Sequence, residues 1–216
     1  NPANIFGLDG EWTLPRLSFL PSSRLLLGAS WVAKQEKQDN LSRIITHPGQ
    51  EYPLRQQLIQ PTWVHAFDVR LALRQGHFNA LAEYALKGQD PSFDNGYTYG
   101  LGSALLVSTS YSRRGLSALL QAKRAENMNF RSQRSGSLSP SMLNHLPPFT
   151  PQPTYALTTL YPYATQSVPG EWAFQGEVSY TLPKRSALGG RYGTTLKGHA
   201  SQIFSLGLEP LRQQIP

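Results

Sequence analysis

Asp68, Arg70, Arg74, Glu83 and Lys87 are the residues whose types and spacing best suit chemistry in this sequence. They lie in two adjoining runs of strict alternation. In 66–74, Phe67, Val69, Leu71 and Leu73 share one face, and Asp68, Arg70, Ala72 and Arg74 share the other. In 77–87, Phe78, Ala80, Ala82, Tyr84 and Leu86 oppose His77, Asn79, Leu81, Glu83 and Lys87. A period of two is that of a half-buried strand. Gln75-Gly76 between the runs reads as a two-residue hairpin turn. The apolar face is odd-numbered in the first run and even-numbered in the second, so paired positions must sum to an odd number or the faces scramble. The turn at Gln75-Gly76 gives a sum of 151, which sets Leu73 opposite Phe78, Phe67 opposite Tyr84 and Asp68 directly opposite Glu83, with Arg70 diagonal to it. Two facing carboxylates repel unless they share a proton or a cation intervenes. The arrangement therefore reads as an acid/base pair or cation site, or as a charge network completed by Arg70, Arg74 and Lys87 on the interior of a barrel. We adopt the network.

Other chemistries find little support. There is no Cys, which excludes a disulfide scaffold, a Cys-ligated zinc and a cysteine nucleophile. His47, His65, His77, His145 and His199 are scattered without metal-ligand spacing. His77 shares a polar face with Asn79, as a barrel hydrolase would use it, but no Ser is placed beside them. Gly100-Leu101-Gly102 lacks the Lys-Ser/Thr and the helix of a phosphate loop; its small residues instead allow a plug, an inward-folded loop or a partner to approach closely. No catalytic residue, metal or cofactor is expected.

The elements that hold these residues are strands throughout. In 97–111, Tyr97, Tyr99, Leu101, Ser103, Leu105, Val107, Thr109 and Tyr111 share a face, and Leu116, Ala118, Leu120 and Ala122 follow after a tight turn at Arg113-Arg114. Similar alternation runs through 6–14, 25–33, 155–161 and 172–180, and less regularly through a last pair near 188–197 and 200–207. That makes nine or ten strands, most near the ~9–11 residues that cross a bilayer when tilted rather than the ~5–6 of globular strands. Tight turns contrast with two long, polar, Pro-rich connections, 35–61 and 126–152. Short turns at one end and long loops at the other are the construction of outer-membrane barrels. Trp12, Trp31, Trp63, Tyr84, Tyr97, Tyr111, Trp172 and Tyr180 fall near strand ends, where amphipathic rings suit a headgroup girdle. The loop 126–152 offers Phe130, Arg131, Arg134 and His145 as candidates for ligand or partner contact.

Composition agrees. The chain has 216 residues, with aromatics at 11% and charged residues at 15%, which argues against disorder. No apolar run approaches the ~18 residues of a membrane helix. Residues 1–110 carry 9 basic and 9 acidic groups; 111–216 carry 11 basic and 4 acidic. The basic excess, densest over 113–134, has no nucleic-acid motif with it and reads as loop and turn charge meeting anionic lipid or lining a lumen. The chain opens at Asn1 without a signal-peptide pattern, which leaves a removed signal or a piece of a longer protein.

Several segments carry a resemblance: Phe93-Asp94-Asn95-Gly96-Tyr97, Tyr111-Ser112-Arg113-Arg114-Gly115-Leu116, Gln121-Ala122-Lys123-Arg124, Asn127-Met128-Asn129-Phe130-Arg131-Ser132, Leu160-Tyr161-Pro162-Tyr163-Ala164-Thr165-Gln166, Phe174-Gln175-Gly176-Glu177-Val178 and Gly189-Gly190-Arg191-Tyr192-Gly193-Thr194. Together they resemble an uncharacterised family of Bacteroidota outer-membrane β-barrel proteins, a domain of unknown function. The resemblance covers 63–193 and, more loosely, the part before. It implies that this chain is an internal portion of a longer member. It implies no activity and no functional residues.

The expectation is an all-β fold, an antiparallel up-and-down transmembrane β-barrel or part of one, spanning 1–216 as a single domain. Its expected place is the outer membrane of a Gram-negative bacterium, against outer-membrane lipid and lipopolysaccharide and next to other outer-membrane subunits, with no nucleic acid bound. The expected role is non-enzymatic: a pore, or a barrel subunit of a larger secretion or uptake assembly. The alternative is a soluble β-sandwich binding module, whose apolar faces would meet in a shared core. The direction in which Phe67, Leu71, Leu101 and Leu120 point separates the two.

Overall fold

The structure is a computed structural model and describes residues 3–14, 23–38, 42–45, 54–92, 95–134, 142–144, 149 and 170–206. Within them are ten strands: β1 (Ala3–Leu14), β2 (Ser23–Glu36), β3 (Ser42–Ile45), β4 (Leu54–Gln57), β5 (Trp63–Gln75), β6 (Phe78–Lys87), β7 (Gly102–Arg113), β8 (Leu116–Glu126), β9 (Gly170–Leu182) and β10 (Thr194–Ser205). Eight of them form one antiparallel up-and-down sheet in the order β1-β2-β5-β6-β7-β8-β9-β10, and β3-β4 form a separate two-stranded ladder. The sheet is open. Among the described residues β1 and β10 each keep one unpaired edge, so these eight strands do not close on themselves.

The strands of the large sheet are 10 to 14 residues long. Their connections sort by end. At one end lie 15–22, 76–77, 114–115 and 183–193; at the other lie 37–62, 88–101 and 127–169, all longer. We call these the turn end and the loop end. The register is staggered. Leu14, which ends β1, lines up through Leu25, Leu73, Ala80, Thr109, Leu120 and Gly176 with Ala200, in the middle of β10. A cumulative stagger of this kind is what tilts strands against the axis of a barrel.

Five expectations are corrected. The β5-β6 turn is Gly76-His77, so Gln75 pairs Phe78 and the pairing sum is 153, not 151. The reason is backbone conformation. Gly76 has φ 55, and a two-residue hairpin with Gly first provides its left-handed position there at no steric cost. Both sums are odd, so every side chain keeps its face; only the partners change. Likewise the β7-β8 turn is Arg114-Gly115 rather than Arg113-Arg114. β7 starts at Gly102, because Gly96 and Tyr97 both take positive φ (62 and 61) and cannot continue a strand. The segment 188–207 holds one strand, not two. The connection 35–61 begins only after Glu36 and contains the β3-β4 ladder. The strand expected at 155–161 lies outside the described residues.

The two faces of the sheet differ as the alternation requires. One carries aliphatic and aromatic side chains that nothing covers among the described residues: Leu8 is 71% exposed, Phe67 56%, Val69 56%, Leu120 65% and Val178 52%. The other is polar or small, and at the loop end segment 127–134 folds back over it. Its buried apolar side chains are few: Val64, Ala104, Ala125 and Ala173 on the sheet, and Met128, Phe130 and Phe149 from the connection. The usual protein arrangement, with apolar faces packed inward, is inverted.

Candidate functional site

The covered part of the polar face is built from strand ends. Period two places Lys34 and Glu36 of β2, Lys87 of β6, Lys123 of β8 and Glu171 of β9 on that face. All five are buried to within 1%. Charges at such depth are stable only when paired and hydrogen-bonded. The partners come from the loops. Lys34 Nζ lies 2.8 Å from Asp90 Oδ2 and 3.5 Å from Glu36 Oε2. Arg134 Nε donates to Asp90 Oδ1 at 2.7 Å, its backbone N–H donates to Glu36 Oε1 at 3.1 Å, and its Nη2 donates to the Pro61 carbonyl. Two cations and two carboxylates thus join the end of β2 to all three connections of the loop end.

Around this core the loops are knitted by amides. Asn95 Nδ2 donates to the Asp90 carbonyl and to Asn127 Oδ1, each at 3.0 Å, while its Oδ1 accepts from Ser92 N–H at 2.9 Å. Lys87 Nζ donates to the Asn129 carbonyl at 2.7 Å. Lys123 pairs with Glu171 at 2.7 Å and lies over the Phe149 ring at 5.2 Å; Lys34 lies over Phe130 at 5.5 Å. Lys34 and Lys123 are therefore each capped by a phenylalanine of the inward-folded connection, a cation–π contact strengthened by desolvation. Segment 127–134 is held to 142–144 by the Arg131–Met142 bridge and by Leu143 N–H to Phe130 O at 2.7 Å. Gly102 makes this approach sterically possible: a Cβ there would lie 2.5 Å from the Asn127 carbonyl oxygen and 2.8 Å from Lys87 Cε.

A second charged group lies deeper along the same face. The corrected register sets Arg70, not Asp68, opposite Glu83, and makes Asp68 and Glu83 diagonal neighbours. Arg70 reaches across β2 to β1: Nη2 is 2.6 Å from Asp9 Oδ1 and 3.4 Å from Glu11 Oε1, and Nη1 is 3.0 Å from Asp68 Oδ2 and 2.6 Å from Ser30 Oγ. Of the five residues expected to form one charge network, Asp68, Arg70 and Glu83 do meet. Arg74 is exposed nearer the turn end, opposite Arg24. Lys87 belongs to the loop-end cluster instead.

Seven of the eight aromatic residues expected in a girdle lie on the exposed apolar face. Trp12, Tyr111 and Tyr180 are toward the turn end; Trp31, Trp63, Tyr84 and Trp172 are toward the loop end. Toward the loop end Phe6, Trp63, His65 and Trp31 form a stacked row, with centroids 5.8, 6.2 and 5.9 Å apart in turn. Tyr97 is the exception, half-buried in 88–101 and outside the strands. Among the loop candidates, Phe130 and Arg134 are buried, at 3% and 4% exposure, and face the protein's own wall. Arg131 is half-buried, and His145 lies outside the described residues. His77 is a turn residue whose ring meets Tyr111 edge-on at 6.1 Å, not a strand residue beside Asn79.

Lys34, Glu36, Asp90, Asn95 and Asn127 were not singled out by sequence. The available signal was a charged residue on the polar face at the loop end of several strands. Among the described residues no three His, Asp or Glu converge as a metal site needs.

A staggered up-and-down antiparallel sheet, apolar outside and closed over by its own loops on the polar side, is thus the class of structure. The chain belongs to a family of unknown function (DUF6029), whose model matches residues 1–214. No curated protein and no solved structure matches it.

Proposed function

We propose that this chain is wall of an outer-membrane β-barrel in a Gram-negative bacterium, of the Bacteroidota type that its motifs resemble, and that it serves as a non-enzymatic barrel subunit of a secretion or uptake assembly rather than as an open pore. One observation carries the reading: the aromatic-edged apolar face is uncovered along the strands, while the polar face is covered by the protein's own connections at the loop end. Lipid is the solvent that makes that inversion stable, because only there is apolar-out favourable along the whole length of ten-residue and longer strands. A β-sandwich would need the opposite. Backbone groups cannot stay unpaired in hydrocarbon, so in this reading β1 and β10 are paired in the membrane. The charged loop-end cluster favours a closed mouth over an open channel, since its cations and carboxylates neutralise one another.

The test is cell-envelope fractionation followed by gel migration with and without boiling. The expected result is recovery in the detergent-resistant outer-membrane fraction with heat-dependent mobility. A soluble protein with no mobility shift would overturn the reading in favour of the sandwich.

A further inference from the structure

Between the polar face of the sheet and the inward-folded segments 127–134 and 142–144 lies a cavity of about 440 Å³. That is the size of a small-molecule site, which typically combines apolar walls with a few convergent polar groups. Here the ceiling is Met128, Phe130 and Leu143, with the side chain of Asn144, and the floor carries Asp68 and Glu83. The floor is short of positive charge. Arg70 is spent on Asp9, Asp68 and Ser30. The other cation at the cavity, Lys123, is held by Glu171 at 2.7 Å. Asp68 Oδ1 is sealed from solvent with no hydrogen-bond partner among the described residues. A buried acceptor without a donor is costly, and more so when ionised; the further group in hydrogen-bonding reach of Asp68 is Glu83, a second carboxyl, so the pair needs a shared proton or a cation.

We propose that this cavity binds a small organic ammonium ion with an apolar body. The ammonium donates to Asp68 Oδ1 and Glu83, and the hydrocarbon lies under Met128, Phe130 and Leu143. Asn144 does not compete for the ammonium: its Nδ2 is committed to the Met128 carbonyl at 2.7 Å and its Oδ1 accepts from Phe130 N–H at 3.1 Å, so it fixes the ceiling. The proposal needs only the sheet and its covering segment, and it stands apart from the membrane reading.

The test uses the full chain folded in detergent, with phenethylammonium, phenethyl alcohol and phenylacetate as probes in ligand-observed NMR titrations. The expected order is ammonium at least tenfold tighter than the alcohol, and phenylacetate not bound. Asp68→Asn with Glu83→Gln should bring ammonium and alcohol to within twofold. Met128→Trp, which fills the ceiling and touches no charge, should weaken both probes at least fivefold. Equal binding of ammonium and alcohol to the unaltered protein, or no binding of either, overturns the proposal without any variant. So does a charge preference that survives the double substitution. Mobility on unboiled gels is read on the same preparation. Selective binding without a heat shift would sink the membrane reading and leave the cavity site; a heat shift without selective binding would sink the cavity site alone.

Discussion

Replacing Arg134 by Met should lift the covering segment off the sheet without unfolding the sheet. The side chain keeps its length and loses its charge. In the native cluster Lys34 and Arg134 balance Asp90 and Glu36, all at 4% exposure or less. Removing Arg134 leaves two buried carboxylates facing one ammonium, with the Lys34–Asp90 contact at 2.8 Å intact but Glu36 served only at 3.5 Å. Breaking a buried pair from one side costs about 3–5 kcal/mol, because the remaining charge is stranded. The sheet need not bear that cost. Arg134 lies on 127–134, which is not part of any strand of the large sheet, and lifting the segment rehydrates Asp90 and Glu36 at once. Local opening is therefore the cheaper response than global unfolding. At roughly 1.4 kcal/mol per factor of ten, 3 kcal/mol raises the open population more than a hundredfold. The assay is amide hydrogen exchange over 127–134 and 95–98, against that of β7 and β8 as internal control. Exchange should accelerate by that factor in the loops and stay within twofold in the strands. In a planar bilayer the variant should also pass current that the unaltered protein does not. Loop protection within twofold of the unaltered protein would refute the reasoning, as would equal acceleration in loop and strand.

Three further outcomes follow from the same geometry. Gly102→Val should displace 127–129 and expose it to limited proteolysis while the heat-dependent mobility persists, since the added atoms would meet the Asn127 carbonyl at 2.5 Å; a protease pattern like that of the unaltered protein would count against the covered face. Leu120→Arg, mid-strand in β8 and 65% exposed, should lose about 2–4 kcal/mol of stability in urea titrations of the vesicle-inserted protein, whereas a water-facing position would change by under about 0.5 kcal/mol. Gly76→Ala, at φ 55, should cost about 1 kcal/mol by the same titration, and Gln75→Ala should be near neutral; a neutral Gly76→Ala would count against a left-handed conformation at Gly76.

The faces of this sheet were legible because period two is written residue by residue. Phe67, Val69 and Leu71 could not face the same way as Asp68 and Arg70 under any strand register. The turn was less legible. Gln75-Gly76 and Gly76-His77 are both two-residue loops that preserve the faces, and what separates them is which central position takes positive φ, a property of the folded backbone. Phe93-Asp94-Asn95-Gly96-Tyr97 was seen as a motif but read into a strand, because its aromatics fall at the spacing of the alternation that follows; the consecutive positive φ of Gly96 and Tyr97 ends that pattern. The loop-end cluster was not legible. Lys34, Asp90 and Arg134 are far apart in the chain and come from one strand and two different connections, so no local spacing announces them. Arg134 was legible as a candidate contact in a long loop rich in Ser and Pro, but not as a buried partner of Asp90 and Glu36.

Why the covering segment is held by ions rather than by a larger apolar contact follows from where it must sit. The polar face carries Gly102, Ala104, Ser108 and Ser110 on β7 and offers little hydrocarbon to bury. Met128, Phe130 and Phe149 supply apolar surface, but two of them rest on lysine side chains, not on aliphatic ones. Buried ion pairs add little net stability over hydrophobic packing, yet they fix geometry, because a cation displaced by one strand position loses its partner altogether. They also fail abruptly: removing or screening one charge strands the rest. A wall apolar toward its surroundings and polar within can thus hold its cover in one register and still release it through a single charge. In the membrane reading, that is the property a closed barrel subunit needs and an open pore does not.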